Sequence, residues 1–383
     1  MKTVLFAALA CLTCAHGQLM ISGNENKVDL TKGTPKFIPG APPDSISILD
    51  FASFPPSVRH VTGVSNSVIG PPSNVAVAPD ESIALVADSI QQDPADTSKY
   101  VPASRIYVLD LQSDPPSVIQ EIEGGKQPSG LSITRDGRFA LVANRAGGTV
   151  SLLSIEGKTV TLRQTIELCK PEDNVADVAI SPDGKLALAS VCNGGYLAML
   201  HLHEGMVTSD KRKLSTCGKP YRVAITPDGT LGVTAGSGQG IPDTDAITVV
   251  DLTQEPPRTT DYIPIGGGPE SLEVSPDGTL IAAVLIGGSN LPKGEPFHED
   301  GGKLIILARR GKTFEVVQIL ATGPIPEGVA FTQDGKHIVV GCHPVRKLWV
   351  YDVDGETVRD SKVRIDVPGM PSSLRTAERP VAK

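Results

Sequence analysis

The chain has 383 residues, a formal net charge of −8, 39 glycines and 32 prolines, and only 4% aromatic residues. The moderate, dispersed negative charge and the lack of a basic stripe with interleaved aromatics speak against nucleic acid as a partner. Near-absence of helix-forming stretches beside abundant turn residues points to an all-β chain.

Met1-Lys2 opens the chain, a short apolar run follows to Ala15, and Ala15-His16-Gly17 fits a small-x-small cleavage site. This pattern predicts a signal peptide over residues 1–17, a mature start near Gln18 and a protein that is secreted or lumenal. The apolar run is too short to span a bilayer, so no membrane insertion is expected. Residues 18–44, rich in Gly, Asn, Lys and Pro, read as a loose N-terminal arm.

From residue 45 onward the chain repeats itself. Residues 72–88 read P-S-N-V-A-V-A-P-D-E-S-I-A-L-V-A-D and residues 128–144 read P-S-G-L-S-I-T-R-D-G-R-F-A-L-V-A-N, and further copies start at Val175, Pro220, Pro269 and Pro326. Each copy is a β-hairpin: an alternating arm such as Leu131 and Ile133, an Asp-Gly turn (Asp136-Gly137, Asp183-Gly184, Asp228-Gly229, Asp277-Gly278, Asp334-Gly335), then a second apolar arm. A third strand such as 247–252 or 348–353 and a fourth complete a unit of 45 to 57 residues, the size of a propeller blade.

Anchors at Pro72, Pro128, Val175, Pro220, Pro269, Pro326 and Pro371 enclose six complete blades. The last anchor opens a blade that the chain ends too early to finish, while 45–50 and the residues before Pro72 supply a third and a fourth strand with no blade of their own. The two termini therefore share blade seven, and residues 45–383 form one seven-bladed β-propeller.

The anchor, P-D-G turn and V-A-N exit, as in Pro128, Asp136-Gly137 and Val142-Ala143-Asn144, resemble the seven-bladed lactonase-like propellers of the phosphogluconolactonase and carboxymuconate-cyclase type. The resemblance covers roughly residues 45 to 383 and rests on turn and packing residues, so it implies the fold and leaves the chemistry to the positions where one blade departs from the others. In such a fold, ligands are expected at the mouth of the central channel.

The residues after the anchors are Ser73, Ser129, Ala176, Tyr221, Glu270, Glu327 and Ser372, followed by Asn74, Gly130, Asp177, Arg222, Ser271, Gly328 and Ser373. The hairpin exits carry Arg145 and His343, with Arg346 close behind. A mouth ring of His343, Arg145, Glu327, Glu270 and Arg222 is expected to be catalytic. Histidine can move a proton near neutral pH, arginine can hold a carboxylate or enolate, and a buried glutamate can be kept protonated as an acid. Tyr221, Arg346, Asn74 and Asp177, with Phe297 and His298 from a long loop, are expected to contact substrate. Long loops at Ile90–Ser104, Gly238–Ala246 and Gly287–Gly302 suggest a partial lid. Deeper in the channel, Glu273 and Arg375 replace small residues, most simply as an ion pair.

No metal ligand set and no cofactor motif stand out. His201 and His203 lack a third partner, although Asn74, Asp177 and Glu270 could imitate a calcium cluster. Of the cysteines beyond the signal peptide, Cys169 could pair with Cys192 or Cys217, leaving Cys342 a buried thiol. The expected function is a metal-independent enzyme that opens, closes or rearranges a ring in a small organic substrate. Alternatives are a natural-product cyclase acting by dehydration to a quinone methide and hetero-Diels–Alder addition, and a non-catalytic binding propeller.

Overall fold

The computed structural model describes residues 18–237 and 243–377; the expected signal peptide and residues 238–242 of the second long loop lie outside them. Seven four-stranded antiparallel sheets follow one another. Their innermost strands pack in sequence around a channel, and Met370–Thr376 meets Val75–Val77 to close the ring. The seven-bladed propeller is as the repeat predicted.

Sequence pattern explains the layering. The inner three strands of a blade are sandwiched between neighbouring blades, so both faces are apolar: Phe139–Asn144 and Thr149–Glu156 are buried almost throughout. The fourth strand lies at the rim, and Thr159–Glu167 alternates accordingly. The core consists of seams between blades. One seam joins Ile83, Leu85 and Val108 of blade one to Leu131, Ile133 and Val142 of blade two. Another joins Val233 and Ile247 to Leu272, Ile281 and Ile305.

The hairpin turns share one chemistry. Thr134 Oγ1 donates to Asp136 Oδ1 at 2.6 Å, Arg138 N donates to the same oxygen at 3.0 Å, and Gly137 takes φ +73°. Ser181/Asp183, Thr226/Asp228, Ser275/Asp277 and Thr332/Asp334 repeat the hydroxyl bond. Blade one departs: Glu81 (φ +54°) stands where the others have glycine. Its Oε1 accepts from Leu19 N and from Gln333 Nε2, each at 2.9 Å, tying blade one to the chain's start and to blade six.

Blade seven corrects the expectation of a loose arm. Its strand order is Met370–Thr376, Leu19–Glu25, Ser45–Asp50, Ser57–Thr62, so residues 19–25 of the supposed arm are its second strand. Met20 pairs with Thr376 on one side and with Leu49 on the other. The rest of the arm folds back as a small hairpin, Val28–Asp29 against Lys36–Phe37. The hairpin is held by Lys27–Asp44 at 2.6 Å, by Phe37 stacked on Tyr100 at 4.7 Å, and by Gly33 N donating to Asn290 O at 2.8 Å. Cys169, Cys192, Cys217 and Cys342 are all free thiols, so neither pairing open to Cys169 is formed.

Candidate active site

In blades two to seven the anchor is followed by a break in register. In blade five, Pro269 pairs with Leu285 and Ser271 with Val284, leaving Glu270 as the extra residue. In blade six, Pro326 pairs with Cys342 and Gly328 with Gly341, leaving Glu327. Blade four skips from Pro220 to Val223 and frees Tyr221 and Arg222. Such bulges re-aim a side chain without disturbing the strand beyond.

Arg145, Tyr221, Glu270 and Glu327 meet in one cavity of about 290 Å³. Arg145 enters from the 3₁₀ turn Arg145–Gly147 that follows the second strand of blade two. The remaining wall comes from Val68, Ile69 and Gly70, from Ile286 and Asn290, and from the arm residues Leu30, Gly33, Thr34 and Pro35. The arm is thus a wall of the site.

Burial sets the electrostatics. Desolvation pushes the Glu270 carboxyl up to about 8, with Arg145 pulling the other way and Asp245 reinforcing the rise. Glu327, 2% exposed, is held well above the ordinary carboxylate range, by burial first and then by the charges of Glu270 and Glu25. Tyr221 is raised too, chiefly by burial, so its phenol stays protonated. The Arg145 guanidinium carbon lies 5.5 Å from the Tyr221 ring centroid, and its Nη1 is buried without a hydrogen-bond partner among the described residues. The cavity therefore places two carboxyls, both poised to hold protons near neutral pH, beside one cation.

The other expected site residues lie elsewhere. His343 does not line the cavity: its fully buried ring sits under the arm, Nδ1 at 3.0 Å from Pro371 O and Nε2 at 3.1 Å from Val28 O. Its Nε2 is also 3.4 Å from Glu25 Oε1, and burial lowers its pKa. Its exit position is inner-facing as read, but the unrecognised strand and hairpin cover it. Arg222 and Asp177 form a channel network below the mouth. Arg222 Nη1 donates to Asp177 Oδ2 at 2.8 Å and Nη2 to Glu273 Oε2 at 3.0 Å, while Ser73 Oγ donates to Asp177 Oδ1 at 2.8 Å. Arg375 reaches Glu273 at 3.7 Å, the expected ion pair of the channel.

Asn74 is buried and donates to Ser67 O at 3.0 Å, bracing the loop that supplies Val68–Gly70. Arg346 is exposed, and its N donates to His343 O at the end of a short turn. His298 holds its own loop through Leu291 O at 2.7 Å, and Phe297 is 59% exposed; neither lines the cavity. The calcium-like set does not assemble, because the Asp177 oxygens are taken up by Ser73, Arg222 and Val223 N.

A family model described as a domain of unknown function (DUF7165) matches residues 100–240. A candidate 6-phosphogluconolactonase from Bacteroides uniformis superposes with a TM-score of 0.70 at 16% identity, covering 94% of this chain and 99% of its own. The fold is that of the lactonase-like propellers. The periplasmic gluconolactonase PpgL of Pseudomonas aeruginosa gives a TM-score of 0.64 at 16% identity over 94% of this chain and 98% of that one. A functionally unknown protein from Desulfotomaculum acetoxidans gives 0.67 at 15%, over 94% and 99%. No curated protein matches the sequence. At these identities the likeness to lactonase-like propellers is one of fold.

Proposed function

We propose that the cavity is the active site of a lactonase-like enzyme that opens an ester ring in a small organic substrate. The observation that carries this reading is the convergence of Glu270, Glu327 and Arg145 on one cavity. Glu270, whose carboxyl titrates at about 8, is the group that ionises and accepts a proton from water. Glu327, held protonated by burial, is the acid. Water adds to the ring carbonyl carbon as its proton passes to Glu270. The ring C–O bond then breaks, and the leaving oxygen takes its proton from Glu327. Arg145 holds negative charge on the substrate. Run backwards, the same groups close a lactone ring with loss of water.

A cavity of about 290 Å³ is at the small end for organic ligands, which favours a compact substrate. Residues 1–17 support action in the secretory pathway or outside the cell. The test is acid release from a panel of lactones, with and without EDTA. Turnover that survives EDTA and falls by about 10²–10⁴ in Glu270→Gln and in Glu327→Gln is expected. Turnover indifferent to both substitutions would overturn the proposal.

A further inference from the structure

His343 sits in the short turn after the second strand of blade six, and its fully buried ring faces three oxygens. Nδ1 is 3.0 Å from Pro371 O of blade seven, and Nε2 is 3.1 Å from Val28 O of the arm and 3.4 Å from Glu25 Oε1. A carbonyl oxygen only accepts, so a ring nitrogen bonded to one must carry a hydrogen. Neutral imidazole has a single N–H and cannot serve Pro371 and Val28 together. The hydrogen it lacks can come from Glu25. Glu25 Oε2 accepts from Lys27 N at 2.6 Å and from Val28 N at 3.0 Å. Its Oε1, buried without a hydrogen-bond partner among the described residues, is the oxygen beside Nε2.

We infer that Glu25 and His343 hold one proton in common, and that this proton makes them the positioning residues that fasten the arm as a wall of the cavity. The arm supplies Leu30, Gly33, Thr34 and Pro35 to that wall; the role rests on the reading of the cavity as the active site. The surroundings favour sharing. Burial lowers His343 and raises Glu25, which moves the proton toward Oε1, while the carbonyls of Pro371 and Val28 draw it toward Nε2. Lys27 and Asp44 face Glu25, Asp29 and Arg346 face His343, and these neighbouring charges offset one another in pairs. Without the proton, an ionised Glu25 would oppose the lone pair of Nε2, and the buried Val28 O would lose its donor.

The test reads the ring, the arm and turnover separately. Nitrogen NMR of the intact protein at neutral pH, with the buried ring recognised by its slow proton exchange, should show Nδ1 protonated and Nε2 displaced from a bare imidazole nitrogen. A bare nitrogen at either position would overturn the shared proton. Hydrogen exchange at Gly33 and Ile38, whose amides donate to Asn290 O and Lys27 O, reports the arm. It should quicken roughly 10-fold or more in His343→Asn, which reproduces Nδ1 alone, and less in His343→Gln, whose amide reaches toward Val28 O. Glu25→Gln should quicken it as well, and combining it with His343→Asn should add little to either alone. Unchanged exchange in all these variants would overturn the positioning role. With melting curves confirming that it is folded, His343→Asn should raise KM about 5- to 50-fold on the best lactone and keep kcat within a few-fold. A fall in kcat at unchanged KM would overturn that role too. Exchange that responds as stated in a protein whose turnover ignores Glu270→Gln and Glu327→Gln would overturn the catalytic reading alone.

Discussion

The Arg145 guanidinium carbon lies 5.5 Å from the centroid of the Tyr221 ring, linking blade two to blade four across the mouth. Blade three, between them, offers only Ala176 and Cys192 at the corresponding positions. The aromatic ring thus orients a cation that no carboxylate in the described structure grips. Tyr221→Leu should loosen Arg145 and raise KM by a few-fold to about 30-fold, the range of a partly desolvated cation–π contact, with a smaller effect on kcat. Steady-state kinetics on the best lactone would check this, and an unchanged KM would count against it.

Lactone turnover should depend on pH in one direction that can be stated in advance. Burial raises Glu270 to about 8, and the base must be ionised to act. The rate kcat/KM should therefore climb as pH rises and level off above about 8. In Glu270→Asp the limb should persist at lower amplitude, and in Glu270→Gln it should vanish. A flat profile from pH 6 to about 9 would remove Glu270 from the role of base.

Stability should run the other way. Glu25 and Glu81 are raised by burial from an ordinary 4.5 to about 8 and about 7. Between those values the folded protein holds protons that the unfolded chain has released. Their contribution is therefore complete below about 4.5 and is lost as pH rises through 7 to 8. Asp228, Asp251 and Asp360 are lowered below 3.8, by hydrogen bonds and cationic partners that outweigh any burial, and they contribute above 3.8 and lose it in acid. The melting temperature should peak on the acid side of neutrality and decline toward pH 9. Glu81→Gln keeps an oxygen to accept from Leu19 N and Gln333 Nε2 without the charge, and should flatten part of the decline.

The channel network is a matter of folding. Asp177 is fully buried and takes Arg222 Nη1 at 2.8 Å and Ser73 Oγ at 2.8 Å. Asp177→Ala leaves Arg222 with Glu273 as its remaining carboxylate in the same cluster, and should cost about 3 kcal/mol in urea unfolding. Turnover per folded molecule should stay within a few-fold of the parent; a selective loss of activity at unchanged stability would return Asp177 to the site.

How far the sequence could be read follows from which signals are local. The Asp-Gly turns and the alternating arms are written within a dozen residues of each other, so six blades and the shared seventh could be counted. Tyr221, Glu270, Glu327 and Arg145 could be picked out because each interrupts a repeated position. His343 interrupts one as well, yet what covers it is Val28, more than 300 positions away in sequence. The covering segment has no repeat to compare with. One clue was available: four strands per blade leave blade seven one short, and residues 18–44 were the only uncommitted chain able to provide it. The loop Val68–Gly70 shows only its glycine, and nothing within the loop itself says that it walls the cavity.

The register break after the anchors of blades two to seven has a consequence for how this protein can change. Seven positions, reading Ser73, Ser129, Ala176, Tyr221, Glu270, Glu327 and Ser372, stand one per blade, six of them on the innermost strand of their own sheet and Ser73 just ahead of one. Side chains there answer to the contents of the mouth more than to the seams that hold the blades together. The ring therefore behaves like a combination lock with seven dials. Turning one resets the chemistry at the centre while the casing, built from turns and seams, stays as it was.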